Sequence, residues 1–322
     1  MAHKFISEIE PGQTLNDIYL VQDPILRSTA KGDLYIAMYV CDRTGRLNGR
    51  MWQASEQTYK MLPKPGFVHI NGRSELYQNN LQIVINNASV VQPSQINLDD
   101  FLAHTDKDVD KLFTEIQQML GSIKNSQLKA LMAEFLADKE LMAKFKKAPA
   151  AMKLHHNCLG GLIEHTHNAM CVAQAALPFY PEVQADLVIA GLFLHDIGKT
   201  EELSYEMAFE YTDTGQLVGH IGMAMIMVHK KADAIGVKGI KIDKSILDAL
   251  DHIILSHHGQ YEFGSPKLPA TAEAFMVNYI DDMDSKIRQV RQAIENEHGD
   301  SSWTSWQGAL QTRIFRGQIE CD

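Results

Sequence analysis

Ala190-Gly-Leu-Phe-Leu-His-Asp-Ile-Gly-Lys199 is the stretch on which the fold turns. From Leu187 to Leu194 the chain is apolar at every position, and a helix that is apolar all round is buried. The helix expected over 184–197 therefore carries His195 and Asp196 into the interior, and Gly198 stops it. A buried carboxylate without a partner is costly. It must be neutral, ion-paired or bound to a metal, and the adjacent imidazole favours the metal.

Working outward, the same arrangement recurs. His165 sits inside GLIEHTHNAMCVA, His220 follows Gly219, His257-His258 closes DALDHIILSHH, and Asp281 interrupts AFMVNYIDDMDSKI. Of 14 histidines, all but His3, His69 and His104 fall within residues 155–298. A lone histidine on an apolar helix is ordinarily a hydrogen-bonded core residue. Five such sites in one all-helical region point to metal ligation instead. Helices are expected over 159–177, 184–197, 220–235, 243–257 and 270–298, with everything from Met152 onward helical. Mixed imidazole and carboxylate ligation suits manganese, iron, cobalt or zinc better than magnesium or calcium. His229, His252 and His298 read as ordinary histidines, and His167, two positions from His165, should face elsewhere.

The first 95 residues have a different period. Leu34, Ile36, Met38 and Val40 alternate with Tyr35, Ala37, Tyr39 and Cys41, so Asp33–Asp42 reads as a strand. After the turn Asp42-Arg43-Thr44-Gly45 comes a second strand ending at Trp52, then Phe67–Glu75 and Leu81–Val91. Short strands with regular turns predict a small barrel. Tyr35, Tyr39, Arg46, Arg50 and Trp52 fall on its outward side, flanked by Arg27, Lys31 and Arg73. Residues 96–150 form a helical connector whose apolar faces also allow self-association, and 151–322 form the second domain.

Composition limits the function classes. No apolar run approaches the roughly 20 residues a membrane span needs, and the N-terminus lacks the apolar core of a signal peptide. Four cysteines without close pairing fit a reducing compartment, so a cytoplasmic protein is expected. The net charge of −10 argues against broad coating of nucleic acid. Residues 1–95, with nine Lys/Arg and eight Asp/Glu, stand at +1 against −11 for the rest. That asymmetry suits a nucleic-acid-binding module at the front.

The residues now support a resemblance. His165, the doublet His195-Asp196 and Asp281 match the H…HD…D signature of the HD phosphohydrolase superfamily, and HDIGK is a specific form of it. His220 and His257/His258 resemble the subset holding two metals. The resemblance implies one ion on His165, His195, Asp196 and Asp281, and a second on His220 and His257/His258, with Asp196 bridging. Two divalent transition-metal ions would activate a water and neutralise phosphate oxygens. Lys199 reads as a phosphate clamp, and His156 as a phosphate contact or a proton donor to the leaving group.

The front module, from Leu15 through Asp42–Gly45 to Met51-Trp52, resembles an oligonucleotide-binding (OB) fold. The expected fold class is thus α+β multidomain, a small OB-like barrel followed by an all-α HD domain. That pairing is similar to the YhaM-type 3′-to-5′ exoribonucleases. It implies removal of nucleotides from single-stranded RNA, with related activity on single-stranded DNA, dependent on manganese-like ions. The ligand pattern by itself says only phosphoester hydrolysis. It leaves open a phosphohydrolase for small or cyclic nucleotides, a nucleic-acid-binding regulatory protein with an inactive HD domain, and a di-iron oxygenase. Phe263-Gly264-Ser265-Pro266 stands where cyclic-dinucleotide phosphodiesterases carry G-Y-P, which weakens a cyclic di-GMP reading.

Overall fold

The computed structural model describes residues 3–29, 31–78, 80–151, 158–205, 210–295, 297 and 301–317. The chain divides into two compact units, Met1–His104 with Ser204–Phe209, and Thr105–Leu203 with Glu210–Asp322.

The first unit is a five-stranded closed barrel: β1 (Thr14–Ser28), β2 (Leu34–Asp42), β3 (Gly45–Trp52), β4 (Gly66–Tyr77) and β5 (Asn80–Val90), in the order β1-β2-β3-β5-β4. That closed order, with a short helix α1 (Glu56–Met61) between β3 and β4, is the OB topology. Four of the strands, β2 to β5, were expected nearly to the residue. β1 was not, because Asp23-Pro24 in its middle reads as a turn. In the structure Asp23 takes a positive φ of 48°, and the ladder to β2 shifts register between Gln22 and Ile25. The irregularity bends one long strand so that it pairs with both β2 and β4.

Alternation supplies the barrel core. Ile36, Met38 and Val40 point inward with Leu15, Tyr19, Val21, Val68, Ile70, Ile83 and Ile85, all buried. The outward side of β2 carries Tyr35, Ala37, Tyr39 and Cys41. The last of these is buried under a second apolar cluster with Leu20, Phe67 and Phe101.

The second unit is built on helices. α2 (Val109–Gly121), α3 (Ser126–Ala137) and α4 (Lys139–Lys147) come from the connector, each opened by an Asp or Asn side chain that accepts from main-chain N–H groups. They are followed by α5 (Gly161–Ala176), α6 (Ala185–Leu194), α7 (Lys199–Glu202), α8 (Asp213–Val237), α9 (Lys244–Ser256) and α10 (Ala272–Glu295). The apolar faces of α2 and α3, read as available for self-association, are spent inside the unit: Leu112, Ile116, Leu120, Leu128, Leu131 and Phe135 are all buried. Phe193 of α6 meets Phe135 and Phe145 edge-on, at 6.2 and 5.6 Å. Asp138, the cap of α4, also holds Lys231 of α8 at 2.6 Å.

Two departures from an all-helical reading occur here. Leu203–Ser204 and Glu210–Tyr211 pair as a two-stranded sheet. Beyond α10, residues 301–317 run without a helix, with isolated bridges Trp303–Phe315 and Gln307–Thr312.

Candidate metal centre

Helix ends deliver most of the site. α6 is buried from Val188 onward and ends at Leu194; His195 follows as its last turn closes, and α7 opens at Lys199. His195 and Asp196 are buried, as expected of a doublet carried on an all-apolar helix. His165 is buried in the middle of α5. His257 and His258 follow the end of α9, and Asp281 lies on α10. His220 was expected to begin a helix. In the structure α8 starts earlier, at Asp213, but breaks its helical geometry at Gly219 (φ 72°, ψ 158°), so that His220 begins its second half. A positive φ of this kind favours glycine.

Asp196 divides the site in two. Its Oδ2 lies 3.4 Å from His195 Nε2 and 3.8 Å from His165 Nε2. Those two nitrogens are 3.2 Å apart, and Asp281 Oδ1 is 3.1 Å from the first and 3.8 Å from the second in the order His165, His195. Its Oδ1 faces the other way, 3.5 Å from His220 Nε2 and 3.6 Å from His257 Nε2. His258 joins this second group. Asp196 Oδ1, His220 Nε2 and His257 Nε2 are buried without a hydrogen-bond partner. Three converging lone-pair atoms left in that state are costly unless something electropositive lies between them. A divalent cation fits this donor set, and imidazole with carboxylate suits a transition metal.

Electrostatics agree with the geometry. Burial opposes the charge on Asp196, yet Lys199 and His195 hold its carboxyl well below the usual range. Asp281 is likewise held low, against burial, by His165, His195 and His257. Burial pushes His257 down, and with its imidazole neighbours it pushes His258 down to about 3. Ionised carboxylates and neutral imidazoles are the states that ligation requires. His165 is the exception: burial lowers it, but Asp281 and Asp284 outweigh burial and push it up to about 10. The negative charge that keeps its proton is the charge that would hold a cation.

Lys199 is buried, with Nζ 2.6 Å from Asp196 Oδ2. Its charge is therefore aimed at the centre, and it is no surface lysine. His156 and its neighbour His155 lie outside the described residues. His167 turns away to Glu115, at 2.6 Å; His229 pairs with Asp251, and His252 accepts from the Ala270 N–H.

Two carboxylates escaped the sequence reading. Asp284 Oδ2 is 2.7 Å from His165 Nδ1, and Glu202 Oε1 is 3.0 Å from His220 Nδ1. Asp284 could have been found, one helical turn along α10 from Asp281. Glu202 had no signal, because the chain reverses between it and His220.

On the barrel, the β2–β3 register sets Tyr35 opposite Trp52 and Ala37 opposite Arg50. The rings of Tyr35 and Trp52 are 4.9 Å apart. Arg50 lies over both Trp52 (5.8 Å) and Tyr77 (5.1 Å), and Arg46 lies over Tyr39 (4.7 Å). Trp52 and Tyr77 are exposed; Tyr35, Tyr39 and Arg50 are half-buried. Tyr77 was missed because it ends its strand at a turn. Tyr39 also packs on the cluster around Phe67, so its ring is only partly available. Arg73, expected at the flank, is exposed and 3.7 Å from Glu75.

A helical unit with two imidazole clusters sharing one aspartate defines a metal-dependent hydrolase of the HD class, and residues 162–286 match the HD domain family. The whole chain is similar to "3'-5' exoribonuclease YhaM" of Bacillus subtilis, 30% identical over 95% of each chain. The Shouchella clausii protein of that name is 31% identical over 88% of this chain and 87% of its own. The chain belongs to the YhaM exoribonuclease family. Among solved structures, the second OB-fold domain of replication protein A from Methanococcus maripaludis covers 28% of this chain and 96% of its own, at 19% identity and a TM-score of 0.24. The barrel's own strand order carries the fold. No helix among the described residues is long and apolar enough to cross a membrane.

Proposed function

We propose that this protein removes 5′-mononucleotides one at a time from the 3′ end of single-stranded RNA, and of single-stranded DNA, in the cytoplasm. The observation that carries the reading is Asp196, whose two oxygens face two separate imidazole clusters, in a chain whose relatives are named 3′-5′ exoribonucleases over nearly their full length. The division of labour follows the sequence: a strand-binding module over residues 1–95, a connector over 96–150 and the hydrolytic domain over 151–322.

His165, His195, Asp196 and Asp281 would hold one divalent ion, and Asp196, His220, His257 and His258 a second, with manganese the first choice. Bound there, such ions would activate a water and neutralise the phosphate oxygens. The protein's own side chains do the rest. Asp196 presents one oxygen to each cluster. Lys199 places a permanent positive charge beside Asp196, where it complements a phosphate as well. His156 is assigned to proton delivery at the leaving 3′ oxygen. On the barrel, Tyr35, Trp52 and Tyr77 offer faces on which bases stack without regard to sequence, and Arg46 and Arg50 supply charge for the backbone.

The test is a 5′-labelled single-stranded RNA incubated with the purified protein and Mn²⁺, resolved on a gel over time. A ladder that shortens from the 3′ end, and that is absent with Asp196→Ala, is expected. RNA left intact by metal-loaded protein would sink the reading and favour small nucleotides as substrates.

A further inference from the structure

Each imidazole of the centre turns one nitrogen inward and anchors the other, and the anchors are not alike. His195 Nδ1 is 2.8 Å from the Leu192 carbonyl, His257 Nδ1 2.7 Å from that of Ile254, and His258 Nδ1 2.8 Å from that of Phe263. A carbonyl only accepts, so these rings carry their proton on Nδ1 and present Nε2 as a lone pair. The remaining two rings are anchored by carboxylates: His165 by Asp284 and His220 by Glu202. They fall on opposite sides of Asp196, one in each cluster.

Glu202 is tied to His220 twice. The same Oε1 accepts from the His220 main-chain N–H, at 2.9 Å, and faces its Nδ1, at 3.0 Å. The break at Gly219 is what frees that N–H, since an unbroken helix would spend it on the carbonyl four residues back. Glu202 therefore closes the start of the second half of α8, where a carboxylate also meets the positive end of the helix. Two glycines bring α7 and α8 together for this. A Cβ on Gly198 would overlap the His220 carbonyl, and one on Gly215 would overlap the Glu202 main chain. Asp284, for its part, also accepts from Asn168 Nδ2 at 3.2 Å, one turn along α5 from His165.

We propose that Glu202 and Asp284 are positioning residues that each set the strength of one metal position, Glu202 that of His220, His257 and His258, and Asp284 that of His165, His195 and Asp281. A carboxylate behind an imidazole fixes its tautomer and ring angle and makes it a stronger donor than a carbonyl does, and losing such a partner weakens metal affinity by about 10–100-fold. The assignment rests on the two-position reading given above.

Mn²⁺ titration of the full-length protein by calorimetry, with bound metal counted by elemental analysis, tests it without reference to RNA. Wild type is expected to take up two ions. Glu202→Ala should leave one step unchanged and weaken the other by about 100-fold, and Glu202→Gln by about 10-fold. Asp284→Asn should weaken the opposite step. Equal weakening of both steps by Glu202→Ala and Asp284→Asn, or no weakening by either, in variants whose unfolding temperature is close to wild type, would overturn the assignment. A wild type that binds a single ion would overturn the two-position reading and the assignment with it, whereas two ions with unshifted variants would overturn the assignment alone.

Discussion

The barrel and the helical unit place their functional side chains in opposite ways. On the barrel, Trp52 and Tyr77 are exposed, Trp52 beside Tyr35 and both under Arg50. In the helical unit His165, His195, Asp196 and His257 are at most 3% exposed. Exposed aromatics and arginines cost little to keep, so their presence proves little. Buried charges are expensive, so their convergence demands a partner. The buried cluster therefore carries the stronger demand for a ligand.

The contrast breaks most sharply at Asp196. Asp196→Asn should lower hydrolysis by about 10³-fold, the equivalent of several kcal/mol of lost charge stabilisation, while RNA retention in a filter assay stays near wild type. Loss of binding in the folded variant would mean that the centre, not the barrel, holds the strand. Gly198→Ala comes next. A Cβ there meets the His220 main chain rather than a flexible side chain, so a loss of about 1–3 kcal/mol is expected, read as a fall in unfolding temperature. An unchanged temperature would show that α7 and α8 can separate at no cost.

The barrel's contribution is smaller and separable. Trp52→Ala should remove one stacking face, worth about 1–3 kcal/mol per base. That loss should raise KM for a long RNA and leave kcat on a dinucleotide unchanged; an effect on kcat alone would move Trp52 out of the strand path.

The smallest effect concerns His3, which lies 3.4 Å from Asp42 and 3.1 Å from Asp17. Burial lowers His3, but Asp42 and Asp17 outweigh it and raise the imidazole above its ordinary value. Burial likewise opposes Asp42, which His3 and Thr44 nonetheless hold below the usual carboxylate range. The raised histidine stabilises the fold fully below about pH 6.5 and loses that contribution as pH rises through its folded value. The lowered carboxylate stabilises above about pH 4 and loses its contribution as pH falls through its own. The stability gap between wild type and His3→Gln, measured by urea unfolding, should therefore be widest between those limits. A gap that does not change with pH would show that the pair is not ionised.

Legibility in the sequence followed the same division. The doublet His195-Asp196 was readable because α6 is apolar on all sides, His165 and Asp281 because they interrupt apolar helices, and His257 because it closes one. Strands β2 to β5 were readable from alternation with turns. β1 was hidden by Asp23-Pro24, whose turn chemistry here makes a bulge rather than an end. The early start of α8 was hidden by Gly215 and Gly219. One of these is needed for close packing and the other for a helix break. The Leu203–Ser204 pairing was too short to carry any period.

The sequence by itself determined which residue types gather in the buried cluster, because period and burial cost act locally along each helix. It also determined that a barrel precedes them, since alternation of period two is a local signal. Tertiary structure alone decided which oxygen of Asp196 faces which imidazoles. It alone decided that Arg50 lies between Trp52 and Tyr77, and that Glu202 and Asp284 stand behind His220 and His165. Each of these depends on where separate elements cross. A crossing is fixed by packing between segments distant in sequence, and no local pattern of residues encodes it.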